Sequence, residues 1–437
     1  MHTVETMFKR IFTLAAGLLL GVLLSATAVR VAVAWNLWPN RDLNRSTDYF
    51  REVLQMVHEN YVEPKTSNYE QLSKTAIHGM VESLDPHSEF LEVKDNKELE
   101  EDLSGEFGGI GIQVETRANK VVVIAPIAGT PGERAGILRG DEIVSIDGKS
   151  VERDGTREDV VGRLRGPPKT KVAVGLFRPS TKAKIDLTLV RELIKVESVR
   201  DVHVIEGNTG YIQLTEFSEH TADQFKQALN NLLRQGIDSL IIDLRNNPGG
   251  LLDSAVEVAE PFFRKGELIV YTQGRKATDR DEYKAETLGE PFALPVALLI
   301  NAGTASAAEV VTGALKDMGR AVVVGERSFG KGSVQSIFKL KNGEGMRLTT
   351  AHYYTPSGAT IHERGISPHV EVVMSPEEDG KLARQRSRPD ITNPKDFKDR
   401  FGFELVEDRQ LQAALDVLKG VRLLNDRAGR TVSQVTR

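Results

Sequence analysis

The chain has 437 residues, which accommodates two or three domains, and its 40% hydrophobic and 27% charged residues are typical of a globular protein. A net charge of −5 gives no sign of the basic surface that nucleic-acid-binding proteins carry. The absence of cysteine excludes a thiol nucleophile, cysteine-ligated zinc and disulfide bonds.

Residues 1–34 have the pattern of an export segment. Lys9 and Arg10 precede Ile11–Val29, a stretch of 19 residues without a charge. As a helix at about 1.5 Å per residue it would be roughly 28 Å long, close to a ~30 Å membrane core. Small residues follow at 26–28 and 32–34, so a cleaved signal peptide and an uncleaved anchor both fit. Either predicts that the rest of the chain is exported.

Two helices are predicted next, over 45–62 and 68–84, because apolar residues recur there at helical spacing. Asp85-Pro86 ends the second helix. Helices this short bury little apolar surface alone. This N-terminal helical domain, residues 40–95, is therefore expected to pack on another domain or another subunit and to support oligomerisation.

Two further regions differ in texture. Between about 100 and 190, short alternating strands and an Asp147-Gly148 turn predict a small β-rich module with one exposed groove. From Gly210 onward strands alternate with helices, which predicts a largely parallel sheet covered by helices. The predicted strands are 211–214, 239–244, 268–271, 296–300 and 321–325, and the helices are 221–234, 252–263 and 306–316. Past Met374 the polar chain predicts a linker, followed by an amphipathic helix within 401–420.

Ser306 lies among small residues where an apolar strand gives way to a helical pattern. A helix N-terminus exposes unpaired N–H groups and partial positive charge, which could hold the oxyanion formed when a serine attacks a carbonyl. A serine at this place can also merely cap the helix. The small flanking residues leave room for a substrate backbone and favour a nucleophile.

Lys331 is the candidate base for that serine. A lysine can take the serine proton if burial brings its pKa from about 10.4 to roughly 7–8. Gln335, four residues on, could orient the amine through its side-chain carbonyl. A solvated surface lysine is the alternative. Residues 325–331 also match a phosphate-binding P-loop, but Gly332 stands where Ser or Thr must hold Mg²⁺, which argues against an NTPase.

The segment Asn246-Asn-Pro-Gly-Gly250 follows the predicted strand 239–244. Ligands of open α/β sheets bind beyond the carboxyl ends of the strands, and a Pro-Gly-Gly turn there exposes N–H groups that could form an oxyanion hole. A tight turn without a catalytic role fits the same residues. The sequence shows no Gly-x-Ser-x-Gly elbow around the serine and no metal-binding histidine spacing, although His352 and His362 lie near the candidate site.

Together these motifs resemble the carboxyl-terminal processing peptidases, tail-specific serine endopeptidases that contain a PDZ domain. The resemblance runs from about Arg45 to Val373. The matching stretches are Phe107–Ile112, Ala135–Val144, Gly210–Ile212, Asp243–Gly250, Thr304–Glu309 and Gly325–Gln335.

The resemblance implies roles for individual residues. Ser306 is the nucleophile, Lys331 the general base and Gln335 the residue that orients the lysine. The implied oxyanion hole consists of the backbone amides of Gly249, Gly250 and Ala307. Thr304 and Ala308 replace serines that are common in the family, which leaves Ser306 as the one serine of that stretch. The resemblance implies no cofactor and no metal.

The implied fold class is α/β and multidomain. Its parts are a helical N-terminal segment, a β-rich PDZ domain (97–192), a crotonase/ClpP-like α/β protease core with a cap (193–373), and a linker with a helical C-terminal extension (374–437). In the PDZ domain, backbone N–H groups would bind a C-terminal carboxylate beside a strand edge that pairs with an extended peptide. The residues expected to present them are Gly108, Gly109, Ile110 and Gly111. Arg165 is a candidate switch, with a solvated turn arginine as the alternative.

The sequence therefore predicts an exported serine endopeptidase that engages protein substrates through unstructured C-terminal tails. A periplasmic location, with or without an inner-membrane anchor, a homo-oligomer, an adaptor lipoprotein and cell-wall hydrolases as substrates are further expectations; nucleic acid is not an expected partner. A PDZ scaffold with an inactive protease core is the alternative from another class. The intact Ser306–Lys331 pair speaks against it.

Overall fold

The structure is a computed structural model that describes residues 14, 17–25, 27, 30, 40–117, 120–151, 157–386, 388, 391 and 393–435. The predicted export segment lies largely outside these residues. Within the described part of the chain, no helix is both long and apolar enough to span a membrane. The chain forms two compact units, residues 1–84 and 85–437.

The first unit contains helices α1 (Arg41–Asn60) and α2 (Tyr69–Glu82). Each begins after an asparagine whose side chain accepts a hydrogen bond from a first-turn N–H group, at Asn40 and Asn68. Apolar side chains at helical spacing form an exposed stripe on α1, in which Phe50 is 46% exposed. The stripe consists of Tyr49, Phe50, Val53, Met56 and Val57.

The second unit begins with a β-rich module. Its sheet has the strand order β3-β4-β5-β7-β8, and β6 pairs with β5. Along β7 every second residue, Val172, Val174 and Leu176, is buried in the core of the module. The elements of this region are β1 (Glu89–Leu91), α3 (Val93–Ser104), β2 (Glu106–Gly109), β3 (Ile112–Arg117), β4 (Lys120–Pro126), α4 (Pro131–Arg134), β5 (Glu142–Ile146), β6 (Lys149–Ser150), α5 (Arg157–Leu164), β7 (Lys171–Arg178), β8 (Ala183–Val190) and β9 (Glu192–Lys195).

A six-stranded sheet of order β10-β11-β12-β15-β16-β19 follows, parallel from β11 to β19. Alternate strand residues point to opposite faces: Ile242 packs with α6, α7 and α8, and Ile241 packs with α11. Helices therefore cover both faces. The elements are β10 (Val199–Ile205), β11 (Thr209–Leu214), α6 (Thr221–Arg234), β12 (Ser239–Asp243), α7 (Leu252–Ala259), β15 (Val296–Ile300), α8 (Ala307–Asp317), β16 (Val322–Gly325) and β19 (Val370–Glu371).

A second, antiparallel sheet carries part of the candidate site. Its longest strand, β18, pairs with β1, β13 and β17, and β14 extends the sheet from β13. The strands not yet defined are β13 (Leu268–Gly274), β14 (Arg280–Lys284), β17 (Ser333–Lys339) and β18 (Gly345–Tyr354). The described chain thus has the mixed α/β architecture that the sequence predicted.

The segment after Met374 differs from the linker that its polar composition indicated. It forms α9 (Pro376–Arg386), α10 (Pro394–Phe401) and α11 (Arg409–Val435). One of its charged residues, Arg386, forms an ion pair with a buried carboxylate of β12. The composition of a segment shows its charged residues but does not show which distant residues pair with them.

Candidate active site

Ser306 stands at the turn between the loop after β15 and the start of α8. Its backbone has φ 53° and ψ −118°, a conformation that costs a non-glycine residue about 1–3 kcal/mol. Two hydrogen bonds hold the turn: the Ser306 N–H donates to Glu309 Oε2 at 2.9 Å, and the Ala305 N–H donates to the Asn247 carbonyl at 2.9 Å. The serine is 8% exposed. A strained turn that aims one serine out of a helix start is typical of a nucleophile.

Gly249 packs directly against this turn. A Cβ atom on Gly249 would lie 2.7 Å from Ser306 Cβ and 2.9 Å from Ala307 N, and its φ is 100°. Gly250 has φ 141°, and a Cβ there would lie 2.1 Å from the Phe217 carbonyl oxygen. Only glycine fits either position without a shift of the backbone.

The amides beside the serine are not equally available. The Gly249 N–H already donates to Asn247 Oδ1 at 2.9 Å. Among the described residues, the N–H groups of Gly250 and Ala307 have no hydrogen-bond acceptor. The structure therefore offers Gly250 and Ala307 as free donors next to Ser306, whereas Gly249 contributes the close approach that lets them meet.

Lys331 lies in the loop between β16 and β17. Its N–H donates to Glu309 Oε2 at 2.9 Å. Burial lowers the pKa of the half-buried Lys331 amine, and the positive charge of Arg347 lowers this pKa further, while the Glu89 carboxylate opposes both effects. In the described structure no hydrogen bond joins Lys331 Nζ to Ser306 Oγ.

Glu309 connects the serine turn to the lysine loop. Its fully buried carboxylate accepts four hydrogen bonds, and Oε2 takes both the Ser306 N–H and the Lys331 N–H. Oε1 takes the Gly330 N–H at 2.7 Å and the Ser328 hydroxyl. Burial raises the pKa of Glu309 and the four hydrogen bonds oppose the rise. Sequence reasoning missed this role, although a glutamate three residues after a helix-capping serine is the signature of a capping box.

Gln335 on β17 presents a buried acceptor. Its Nε2 donates to Ser333 Oγ at 3.1 Å and to Thr349 Oγ1 at 2.9 Å. Its Oε1 is buried and has no hydrogen-bond partner among the described residues. A buried carbonyl oxygen of this kind is suited to receive a donor that arrives during catalysis.

The β-rich module contains a groove of about 340 Å³ beside the predicted carboxylate-binding residues. Gly109, Ile110 and Gly111 line it, while Gly108 packs so closely that a Cβ atom would lie 2.1 Å from the Gly166 carbonyl oxygen. Gly111 has φ 71° and abuts Thr130. The glycines thus bring the backbone to the edge of an apolar groove, the geometry that recognition of an extended peptide requires.

Arg165 lines the same groove and is not a solvated turn residue. Its guanidinium lies 4.3 Å from the centre of the Phe107 ring, and Nη1 lies 3.7 Å from Glu101 Oε2. Its Nε is buried without a hydrogen-bond partner among the described residues. Arg165 therefore lies between the groove and α3.

The histidines noted in the sequence do lie near the lysine loop. The rings of His352 and His362 are 4.4 Å apart, and a Cβ atom on Gly332 would lie 2.1 Å from the His362 nitrogen. Within the described part of the chain, no cluster of three or more His, Cys, Asp or Glu residues could hold a metal ion.

Comparison with known proteins places the chain in a class. Residues 208–372 match peptidase family S41 and residues 122–176 match the PDZ domain. A carboxy-terminal-processing protease of Bartonella bacilliformis is 38% identical over 356 residues, 80% of this chain and 81% of the relative. A Staphylococcus aureus protein named "Probable CtpA-like serine protease" is 36% identical over 363 residues, 81% of this chain and 71% of the relative.

Among solved structures, the photosystem II D1 C-terminal processing protease is 32% identical, with 74% of this chain and 92% of that chain covered and a TM-score of 0.43. The sequence matches define a serine-type peptidase that carries a PDZ domain. The chain belongs to peptidase family S41, among the carboxy-terminal-processing proteases. The resemblance seen in the sequence is thereby confirmed.

Proposed function

We propose that the protein is an exported endopeptidase that hydrolyses peptide bonds with a dyad of Ser306 and Lys331. The observation that carries this proposal is the shared Glu309 carboxylate, which binds the backbone of both residues through one oxygen atom. The lowered pKa of Lys331 also favours a base at this position. Both features suit a serine whose proton is taken by an amine.

We assign the steps of the proposed reaction to these residues. Lys331 Nζ removes the proton of Ser306 Oγ as that oxygen attacks the substrate carbonyl. The N–H groups of Gly250 and Ala307 stabilise the oxyanion, and Gln335 Oε1 orients the lysine ammonium. The ammonium then protonates the leaving amine, which yields an acyl-enzyme on Ser306 and a neutral Lys331. Lys331 next activates a water molecule that releases the acyl product.

Substrate engagement is proposed at the groove beside Gly109–Gly111. The C-terminal carboxylate of an unstructured tail would accept hydrogen bonds from this backbone, and its last side chain would enter the apolar groove. The lack of a Ser306–Lys331 hydrogen bond supports a resting state that is latent until a tail binds. Arg165, between the groove and α3, is the proposed switch for this transition.

The remaining parts of the proposal rest on the sequence. Residues 1–34 would direct the chain to the periplasm as a signal peptide or an inner-membrane anchor, and residues 193–373 would form a crotonase/ClpP-like core with a cap. The exposed apolar stripe of α1 supports a homo-oligomer. An adaptor lipoprotein and cell-wall hydrolase substrates are proposed from the family resemblance alone.

Substitution of the dyad tests the central claim. Ser306→Ala and Lys331→Ala should each abolish cleavage of casein or of a tail peptide and leave the circular dichroism spectrum unchanged, because each removes one partner of the proton transfer. Lys339→Ala, on the exposed side of β17, is the control and should cleave normally. Wild-type turnover by the Lys331 variant would show that Lys331 is not the catalytic base.

An inactive PDZ scaffold is the second candidate, favoured by the missing Ser306–Lys331 hydrogen bond. A serine-directed phosphonate separates the two. A latent protease is labelled at Ser306 once a tail peptide is added, whereas a scaffold stays unlabelled with and without the peptide.

A further inference from the structure

Four charged side chains meet at the carboxyl end of β12, directly before the loop that carries Gly249 and Gly250: Asp243 and Arg245 are buried, and Arg386 and Asp408 are partly exposed. Arg245 is at the centre. Its Nε and Nη2 donate to the Asp243 carboxylate at 2.7–3.1 Å, and its own backbone N–H donates to Asp243 Oδ1 at 3.0 Å. The side chains of Asp243 and Arg245 are almost completely buried. These contacts determine the position of the chain one residue before the loop.

The other side of this arrangement comes from the segment after β19. Asp408 accepts two hydrogen bonds from Arg245, at 2.7 and 2.8 Å, and Gln410 accepts a third at 3.2 Å. Arg386, the last residue of α9, lies 2.8 Å from Asp243 Oδ2 and also donates to the Tyr211 hydroxyl. Two carboxylates and two guanidinium groups therefore neutralise one another around the buried Asp243–Arg245 pair. A buried charge without its partner is strongly unfavourable, so the four groups hold one another in place.

The loop transmits this position to the nucleophile through short hydrogen bonds. The Asn246 N–H donates to Asn301 Oδ1 at 2.9 Å. Asn247 accepts from the Gly249 N–H through its side chain and from the Ala305 N–H through its carbonyl, both at 2.9 Å. Arg245 is thus joined to the Gly249–Gly250 amides and to the residue before Ser306 by one continuous set of covalent and hydrogen bonds.

The match to peptidase family S41 ends at residue 372, so Arg386 and Asp408 lie beyond it. We propose that Arg386 and Asp408 are positioning residues for the oxyanion hole: through Asp243 and Arg245 they place the Gly250 amide beside Ser306. This inference rests on the proposed serine chemistry and extends it to the C-terminal helices. In this proposal both residues act through Asp243 and Arg245 rather than on the substrate, so their loss should slow the chemical step and leave substrate binding intact.

The test compares kcat and KM for Arg386→Met and Asp408→Asn in the full chain, with a tail peptide as substrate. We expect kcat to fall about tenfold or more, because a displaced oxyanion donor loses part of the roughly 100-fold or larger contribution that a well-placed donor makes, with KM within about twofold of wild type. A phosphonate that reacts with Ser306 also places negative charge in the oxyanion hole. The rate of this labelling should therefore fall together with kcat. Arg386→Lys should recover part of kcat.

Arg409→Met is the matched control. Arg409, the first residue of α11, forms an exposed ion pair with Glu378 of α9. It has no hydrogen bond to Arg245 among the described residues. Its kcat should equal wild type. If Arg386→Met and Asp408→Asn keep wild-type kcat, or change only KM or the unfolding temperature, the positioning role is overturned.

A variant that fails to fold is replaced by Arg386→Lys or Asp408→Glu, which keep the charge and alter only its reach. Unchanged kcat in these folded variants would equally overturn the role. The Ser306→Ala variant separates a failure of the proposed dyad from a failure of the positioning role. If it stays active, the proposed dyad fails, whereas inactivity of Ser306→Ala combined with normal kcat in the Arg386 and Asp408 variants refutes the positioning role alone.

Discussion

Two opposite charges act on the Lys331 amine from neighbouring strands. Arg347 of β18 lowers the pKa of Lys331, after the larger effect of burial, and Glu89 of β1 raises it. These two residues also pair with each other at 2.9 Å. Substitution of Arg347 or Glu89 should therefore raise or lower the pKa of Lys331 without a change to Ser306 or Lys331 themselves.

This pair of charges gives a prediction with two signs. A base with a lowered pKa becomes neutral at lower pH, and the acid limb of kcat/KM reports that ionisation in the free enzyme. Arg347→Met removes a positive charge, so the pKa of Lys331 rises and the acid limb moves to higher pH. Glu89→Gln removes a negative charge and moves the limb to lower pH. The measurement is kcat/KM against pH for both variants and wild type.

The opposite signs make each variant the control of the other. A general loss of stability would lower the plateau of both profiles and would not move the two limbs in opposite directions. Limbs that stay where they are in both variants would show that Lys331 is not the group that titrates.

The sequence nominates Ser306, Lys331 and Gln335 because each has a local signature of small neighbours or fixed spacing, and their catalytic roles stay predictions. Sequence reasoning missed Glu309, since that role exists only after the loop 328–331 folds back onto the first turn of α8. It also assigned three amides equally, whereas the Gly249 N–H is already bonded to a side chain. The bonds from Gly330 and Lys331 to Glu309 depend on tertiary contacts and have no local pattern, whereas the Asn247–Gly249 bond spans only two residues.

At the scale of elements, the loop after β12 and the start of α8 work as one assembly. Gly249 is a point of close approach between them, because a Cβ atom there would lie 2.7 Å from Ser306 Cβ. Gly236, after α6, offers a contrast: it also has a positive φ, 76°, but a Cβ atom there meets nothing within 4 Å. A side chain at Gly236 would meet backbone strain alone, whereas a side chain at Gly249 would meet both backbone strain and a steric clash.

Alanine substitution should affect these two glycines differently. Gly249→Ala drives a methyl group into Ser306 and should reduce kcat by about 100-fold or more, the size of an oxyanion-hole defect. Gly236→Ala has only the strain of a left-handed residue, about 1 kcal/mol, and should keep full activity. Peptide turnover and thermal unfolding of both variants check this. Equal turnover by the two variants would contradict the close packing.

Elements were predictable where burial is uniform. Strand β15 was predicted at its observed bounds because five apolar residues follow Pro295 and precede Asn301. Strands β17 and β18 were missed, since they are half-exposed and mix polar with apolar residues. Helix α9 was missed because its polar composition indicated a linker, while its last residue, Arg386, pairs with Asp243 far away in the chain.

For the whole molecule, the apolar stripe on α1 predicts assembly of several copies. Phe50→Glu combined with Val53→Glu places two charges on this stripe and should lower the sedimentation coefficient, because burial of charge opposes association. Arg51→Ala, on the opposite side of the helix, breaks only an exposed pair with Asp48 and is the control. An unchanged coefficient in the double variant would show that the stripe does not hold the oligomer together.

The mixed α/β architecture and the family were within reach of the sequence, since periodicity and clustered motifs are local properties. The contribution of the C-terminal helices was not. Asp408 and Gln410 reach Arg245 across more than 160 positions, and the charge of an isolated segment does not name so distant a partner. Completion of the protease core by α9 and α11 is a property of the folded chain alone.

The placement of α11 also sets an order of assembly in time. Ala414 and Leu418 cover the face of the sheet that Ile241 and Leu299 present, yet a ribosome makes β12 and β15 more than a hundred residues earlier. Until residue 418 has been synthesised, that face stays open to water and Arg245 has no Asp408. A half-made chain therefore exposes an apolar sheet face that the finished chain buries, and this face is covered only when translation is almost complete.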